Sequence, residues 1–329
     1  MFSRRFFLQS IGVTFGVTCL PAYAVVVEPF FLRVQRHVVT PPNWPRGLEL
    51  TAALIADPHV CNPWMGLDRL RFIVERTNAL KPDIVLMLGD YVAGHRFKTS
   101  TIPSKEWAQI FAGFTAPLGT HAILGNHDWW DDRTVQLTGE GLPFAGRALL
   151  DAGISLYQNR ATRLQKVGHP FWIAGLDDQI ALIPNRNAKR KRWQGKDDLN
   201  GTLDQITDDA PVLLMAHEPR IFRKVPGRVS LTMCGHTHGG QINFFGYKPV
   251  SGTTLGKDRN YGHIIANIPK SSTGTVGTEE KPRHLIISGG LGCSILPVRF
   301  GVPPEITLVH LQASPVSVPS PPSKPSSQS

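Results

Sequence analysis

Asn126, His127 and Asp128 stand in direct succession where the apolar run of AILGNHDWW breaks at Gly125. Side by side they offer an amide, an imidazole and a carboxylate, and similar groups close four other apolar runs. These are Asp57 with His59 in ALIADPH, Asp90 in IVLMLGD, His217 in VLLMAH, and His236 with His238 in MCGHTH. Imidazole, carboxylate and amide donors together suit Mn, Fe, Zn or Ni better than an ion that favours thiolates. Three or four donors would serve one ion. This larger set, with Asp90 used twice as a bridge, points to two divalent metals about 3.5–4 Å apart. Within DPH and HTH the donors are two residues apart, so an extended backbone would turn both side chains the same way. A structural metal site is closed by its protein ligands, whereas two metals sharing a mixed oxygen and nitrogen set suit hydrolysis.

Donors so far apart in the chain need a scaffold that gathers strand ends. LELTAALIAD (48–57) reads as a buried strand, and LDRLRFIVERTNALKPD carries Leu67, Leu70, Ile73, Val74 and Leu80 at near-helical spacing. DIVLMLGD (83–90) is a second strand, KEWAQIFAGF a helix and GTHAILGN a third strand; PVLLMAH, RVSLTMCGH, HLIIS and EITLVHL follow as further β segments. Strands alternating with helices specify an α/β fold, whose open sheets place the ligand crevice beyond the strand ends.

With 329 residues, 41% of them hydrophobic, the chain can build one large domain or two small ones. A formal charge of +10 suits an anionic partner, whether a phosphate-bearing ligand, nucleic acid or a membrane surface, and does not choose among them. At the N-terminus SRRFFLQ precedes an apolar stretch ending in Ala22, Tyr23 and Ala24, the pattern of a twin-arginine export signal with an A-x-A cleavage site over residues 1–24. Apolar residues continue to Leu32, so an uncleaved membrane anchor is the alternative. Arg4 and Arg5 hold the N-terminus in the cytoplasm and place the domain, residues 25–312, outside it, in the periplasm or cell envelope. Arg33 and Arg36 oppose that orientation and leave attachment to the cytoplasmic face of the inner membrane as a third arrangement. Cys61, Cys234 and Cys293 match neither a disulfide framework nor a zinc knuckle, so the fold is expected to do without disulfides. Residues 267–283 have loop composition. The last 17 residues, 313–329, include seven Ser and five Pro and form an expected disordered tail. RNAKRKRW (186–193) is either a solvated basic loop or a contact for an anionic surface.

Taken together, DPH, GDYVAG, GNHD, MAHEP and GHTHGGQ, in this order and spacing, resemble the motif set of calcineurin-like metallophosphoesterases over about residues 48–311. Any one piece is weak and the set is specific. SRRFFLQ, VEP, GLDD (175–178) and GLGCSILPVRFGVPPEI are similar, more narrowly, to a bacterial branch of exported or membrane-associated phosphodiesterases. The resemblance implies a four-layered α/β/β/α sandwich. It implies one metal held by Asp57, His59, Asp90 and His238, a second held by Asp90, Asn126, His217 and His236, His127 at the catalytic histidine position and Asp128 orienting it. The activity implied is a phosphodiesterase with two divalent ions, Mn favoured, that cleaves a P–O bond with a metal-bridging hydroxide while His127 protonates the departing oxygen or neutralises charge. The substrate implied is a phosphate ester, with lipids and nucleotide-sugar lipids among the candidates and nucleic acid not expected; an anionic membrane surface is a further partner. The same branch offers a second activity, a UDP-2,3-diacylglucosamine pyrophosphatase of lipid A synthesis. A third reading is a non-catalytic metal-bearing binding module, which the retained Asn126, His127 and His217 oppose. GDYVAG lacks the further acidic residue many relatives carry, and Pro58 stands where small or aliphatic residues are common; neither departure removes a ligand. His37, His95, His121, His169, His263, His284 and His310 match no ligand position, and of these His95 lies closest after Asp90 in a loop that can reach substrate.

Overall fold

The computed structural model describes residues 20–249, 261–266 and 282–314. Residues 1–19 of the expected leader, most of the expected 267–283 loop and the tail from 315 onward lie outside the described residues. Two six-stranded sheets form the centre. The first contains β1 (Arg33–Val39), β2 (Leu50–Ile55), β4 (Ile84–Met87), β6 (Thr120–Ala122), β7 (Ser155–Leu156) and β14 (Glu305–Leu311), in the order β1-β14-β2-β4-β6-β7. The second contains β8 (Arg160–Lys166), β9 (His169–Gly175), β10 (Val212–Met215), β11 (Leu231–Cys234), β12 (Gly262–Ala266) and β13 (Arg283–Ile287), in the order β12-β13-β11-β10-β9-β8. A small antiparallel ribbon pairs β3 (Cys61–Asn62) with β5 (Ser100–Thr101).

Strand periodicity explains the layering. In β2 and β4, Leu50, Ala52, Leu54, Ile84 and Leu86 face the space between the sheets, while Ala53, Ile55, Val85 and Met87 face the helices. In the second sheet Leu213, Met215, Leu231, Met233 and Ile286 meet the first sheet, and Val212, Leu214, Leu285 and Ile287 face outward. Both faces are covered, which is why these strands read as unbroken apolar runs in the sequence. Helices Leu67–Asn78, Ser104–Phe111 and Phe144–Asp151 close the first outer face with Leu70, Ile73, Trp107, Phe111 and Leu149. Leu199, Ile221 and Phe222 close the other, so the fold is the four-layered α/β/β/α sandwich. Parallel pairing of β2 with β4 and β4 with β6, and of β9, β10, β11 and β13, brings their C-terminal ends to common edges.

The segment after the expected leader is tied to the sandwich. Within residues 20–32, Ala24 is buried and its carbonyl accepts the Arg299 N–H at 2.9 Å, while buried Glu28 accepts the Val302 N–H at 2.8 Å. Arg33 begins an edge strand and is ion-paired at 2.9 Å with the buried Glu305. Among the described residues no helix is long and apolar enough to cross a membrane. Cys61, Cys234 and Cys293 are buried and free.

Candidate metal centre

The chain turns sharply just past β2, β4, β6, β10 and β11, and the expected donors lie on those turns. Asp57, His59 and His238 form one group and Asp90, His217 and His236 a second; within each, the donor atoms lie within 4.8 Å of one another. Asn126 joins the second group, its Oδ1 2.9 Å from His236 Nδ1. Asp90 stands between them, with Oδ2 3.2 Å from His217 Nε2 and 3.6 Å from His59 Nε2. Asp57 Oδ1 likewise lies 3.8 Å from His238 Nε2 and 3.9 Å from His217 Nε2.

Strand alternation is not what aims these side chains. Asp57, His59, Asp90, His236 and His238 all have φ between 45° and 70°, a left-handed conformation that costs a non-glycine residue on the order of 1–3 kcal/mol and persists only where neighbours enforce it. The enforcing bonds are visible: Asp57 N–H donates to Gly89 O (3.1 Å), His59 N–H to Asp90 O (3.0 Å) and His236 N–H to Asp57 Oδ1 (2.8 Å). Asp57 and His59 therefore meet in one group through a turn. His236 and His238, expected to point the same way, go to different groups, because the chain enters a 3₁₀ turn at His238. At Gly125 a Cβ would fall 2.4 Å from Asp90 Oδ1 and 2.7 Å from His217 Cε1, so the close approach of β6 to the centre requires glycine.

The donor set fits divalent cations. His59 Nδ1 and His217 Nδ1 lie 2.9 Å and 2.7 Å from the carbonyls of Val92 and Leu88, and His238 Nδ1 lies 3.3 Å from Gly292 O. A carbonyl accepts only from N–H, so the Nδ1 of His59 and of His217 carries a proton, whereas His238 Nδ1 also lies 3.3 Å from the Arg299 guanidinium, which can only donate. His59 Nε2 and His238 Nε2 face each other at 3.1 Å. Burial pushes the Asp57 carboxyl up to about 7, with His217 drawing it back, and lowers His59 and His236 to about 3 and His238 well below its usual value. These three imidazoles are thus in the neutral, metal-binding form. For Asp90 burial acts upward, but His217, His127 and His59 outweigh it and hold the carboxyl well below the usual range. In His217 burial acts downward, and Asp90 and Asp57 override it: the carboxylates draw positive charge to this spot.

Asn126–Trp130 is a short helix, so Asn126 and His127 diverge by about 100° around a helix axis rather than by strand alternation. The His127 N–H donates to Asp90 Oδ1 at 2.8 Å. Its ring packs edge-on to His59 and against Trp130, each at 5.0 Å, and Nδ1 lies 4.0 Å from Asp131 Oδ2. The orienting role expected of Asp128 is corrected: its oxygens accept the N–H groups of Asp90 (2.9 Å), Tyr91 (2.8 Å), Val92 (3.1 Å) and Gly125 (2.9 Å). Asp128 clamps the Asp90 and Asn126 loops together, and the carboxylate facing His127 is Asp131, legible in the sequence only as the i+4 partner on a helix.

Other groups around the centre escaped the sequence reading. Arg299 is wholly buried and donates to the carbonyls of Gly289 (2.9 Å), Gly290 (3.2 Å) and Val302 (2.9 Å), holding the glycine turn against Asp57; a lone Arg within ILPVRFGV was its signal. Asp178 and Glu218 lie beside His217 in a third cluster. Burial and the neighbouring Glu218 raise Asp178 well above its usual value, and burial raises Glu218. His95 is buried, 3.6 Å from Cys61 Sγ, and joins neither donor group. His121 bonds Tyr157 and Leu118 O, His263 lies 3.0 Å from His284 and His310 bonds Thr51, and none joins a donor group of the centre. Of the basic run, Arg190 is buried and donates to Ile183 O and Gln136 O, while Arg186, Lys189, Lys191 and Arg192 are exposed. Trp193 beside them packs on Trp130 at 5.0 Å, which ties the run to the flank of the centre.

A family model described as calcineurin-like phosphoesterase matches residues 50–240, more than half of the chain. The chain is 27% identical to the uncharacterized metallophosphoesterase YkuE of Bacillus subtilis, over 95% of its own length and 98% of that protein. It is 28% identical to an uncharacterized metallophosphoesterase of Aquifex aeolicus, covering 91% and 98% of the two chains. To the phosphodiesterase YaeI of Escherichia coli it is 26% identical, covering 94% and 100%.

Proposed function

This chain belongs to the calcineurin-like phosphoesterase family and is a metal-dependent phosphoric ester hydrolase, and on that premise we propose that it is a binuclear phosphodiesterase of the cell envelope. The observation that carries the reading is Asp90, one anionic carboxylate 3.2 Å and 3.6 Å from imidazoles of two separate donor groups. Asp57, His59, Asp90 and His238 would hold one divalent ion and Asp90, Asn126, His217 and His236 the other, with Mn favoured. Such ions, when bound, supply Lewis acidity and water activated at neutral pH.

The chain's own contribution is positional. The His127 N–H fixes Asp90, and its ring, lodged between His59 and Trp130, is the group that hands a proton to the departing oxygen. Asp131 steadies that ring, and Asp128 keeps the two donor loops in register. A diester is favoured because the full-length relative YaeI is named a phosphodiesterase. Export rests on SRRFFLQ, the apolar stretch and Ala22-Tyr23-Ala24, and the twin-arginine route carries folded proteins, which permits metal loading before transport.

Purified protein reconstituted with Mn, Fe, Zn or Ni is tested on bis(4-nitrophenyl) phosphate and 4-nitrophenyl phosphate. The expected result is metal-dependent cleavage with the diester preferred; hydrolysis of neither ester with any of the four metals would overturn the activity. Fractionation of cells carrying Arg4→Lys and Arg5→Lys together tests the location, and unchanged export would remove the twin-arginine route.

A further inference from the structure

We propose that three histidines at one side of the sandwich, His37, His263 and His284, bind a divalent transition-metal ion separate from the binuclear centre. Strand alternation brings them together. His37 lies on β1, the outer strand of the first sheet, and His263 on β12, the outer strand of the second. Along β1 the side chains of Arg33, Gln35, His37 and Val39 share one face, and Val39 is buried between the sheets. On β13, His284 shares a face with Ile286, buried in the same layer, and His263 stands directly opposite Ile286. All three imidazoles therefore face the space between the two sheets, on the side where the outer strands lie. The two edges meet there: the Arg33 guanidinium donates to the Tyr261 hydroxyl and lies 5.7 Å from the centre of that ring.

Spacing and protonation suit a cation. His263 Nε2 and His284 Nδ1 are 3.0 Å apart, with the ring planes inclined by 27° and the ring centres 5.2 Å apart. An ion bonded to both at the usual distance of about 2.0–2.1 Å would see them at about 90–100°. Tetragonal Cu(II) and Ni(II) adopt that angle. His37 stands farther off, and its Nε2 is buried with no hydrogen-bond partner among the described residues, which costs stability unless something binds it. A turn of its side chain would bring this nitrogen to the ion as the third donor. Burial lowers His263 to about 4, with His284 and His37 adding to the effect; burial also lowers His284, and His37 against the opposing pull of Glu305. At neutral pH all three are uncharged, the form in which an imidazole nitrogen donates to a metal. A donor set of neutral nitrogens suits Cu, Ni or Zn, and not Mg or Ca, which take oxygen. The bound ion would join β1 to β12 and β13 and so staple the two sheets together at their outer strands.

The test titrates Cu(II) at pH 7 into the full chain carrying Zn, which is silent in electron paramagnetic resonance and which Cu(II) outcompetes at nitrogen sites. Bound Cu(II) should show nitrogen splitting from two or three imidazoles and should raise the unfolding temperature. His263→Gln and His284→Gln should each weaken this binding by about tenfold or more, since even changes beyond the ligands cost about 10–100-fold; His37→Gln should weaken it less. Turnover of bis(4-nitrophenyl) phosphate by the Mn-loaded enzyme should stay unchanged in all three. His263 is only partly buried, and the amide of His263→Gln can still bond His284, so this variant removes a donor nitrogen without opening the fold. Asp90→Asn, which disables the binuclear centre, should leave the Cu(II) signal in place. Copper affinity and spectrum unchanged in both His263→Gln and His284→Gln would reduce the pair to a hydrogen bond and overturn the proposal. A signal lost in Asp90→Asn would overturn it as well, by assigning the copper to the binuclear centre.

Discussion

Gly94, in the GDYVAG segment, touches no metal ligand, yet its replacement by Ala should disable the enzyme through His127. A Cβ at this position would fall 2.2 Å from His127 Nδ1 and 2.3 Å from Cε1, and ordinary contact begins near 3.4 Å, so the ring must retreat by at least 1.2 Å. Retreat is confined on three sides by the rings of His59 and Trp130, each 5.0 Å away, and by Asp131. A displacement of about 1 Å at a reacting group can lower turnover about 10²-fold, and overpacking of this kind destabilises by about 1–3 kcal/mol. His127→Ala, which removes a proton donor outright, should slow turnover by about 10²–10⁴-fold. Its effect should be larger for alkyl diesters, whose leaving groups need a proton, than for nitrophenyl esters. The assay is kcat/KM on both kinds of ester alongside Mn content by elemental analysis, for Gly94→Ala, His127→Ala and the double variant. If the glycine acts only through the ring, metal content stays at wild-type level and the double variant is no slower than His127→Ala alone, a departure from additivity expected of coupled residues. Wild-type turnover in Gly94→Ala, metal lost in proportion to activity, or strictly additive losses in the double variant would each refute the reasoning.

Asp90→Asn should abolish turnover and reduce bound Mn by more than one ion per chain, since its carboxylate lies 3.2 Å and 3.6 Å from donors of both groups; nearly full metal content would contradict a bridging role. Asp128→Ala leaves four N–H groups, three of them buried, without this acceptor and should destabilise the protein by about 3 kcal/mol or more. Asp128→Asn, which keeps one oxygen, should lose distinctly less in urea titration, and equal stabilities would remove the clamp. Burial first of all raises Asp57 to about 7, so below that pH a proton occupies the carboxyl that the metal needs. Mn affinity measured by calorimetry should therefore weaken by about tenfold per unit as pH falls below 7, and His217, which burial lowers but Asp90 and Asp57 raise well above its usual value, adds a further gain in affinity as pH rises. His59 and His236, lowered to about 3 chiefly by burial, add nothing in this range. A constant affinity from pH 5.5 to 8 would exclude Asp57 as the controlling group.

The sequence by itself determined the α/β strand pattern and the candidate donors at the strand ends, and the family resemblance of its motifs implied the sandwich. Each of the runs before Asp57, Asp90, His217 and His236 is apolar on both faces, as a strand between two covered layers must be, and a polar group of metal-binding type ends each one. Composition and spacing sufficed for the strands because burial and strand periodicity are local consequences of residue type. The edge strand Arg33–Val39 was illegible for the opposite reason: its pairing partner, Glu305–Leu311, lies at the other end of the chain, and Arg33 looks like a free charge until Glu305 is placed beside it. Directions at the centre were likewise beyond the sequence. Positive φ at His236 and His238 sends neighbours in one motif to different donor groups, and only the surrounding hydrogen bonds hold that conformation. Asp128 and Asp131 are both carboxylates near His127 in sequence, and a helix turn decides which of them faces the ring. A cavity walled by Trp130, Ile242 and Ile295 joins three segments that are distant in the sequence. Residue type fixes what a side chain can bond to; which atoms stand within bonding distance depends on long-range packing, and that only the tertiary structure decided.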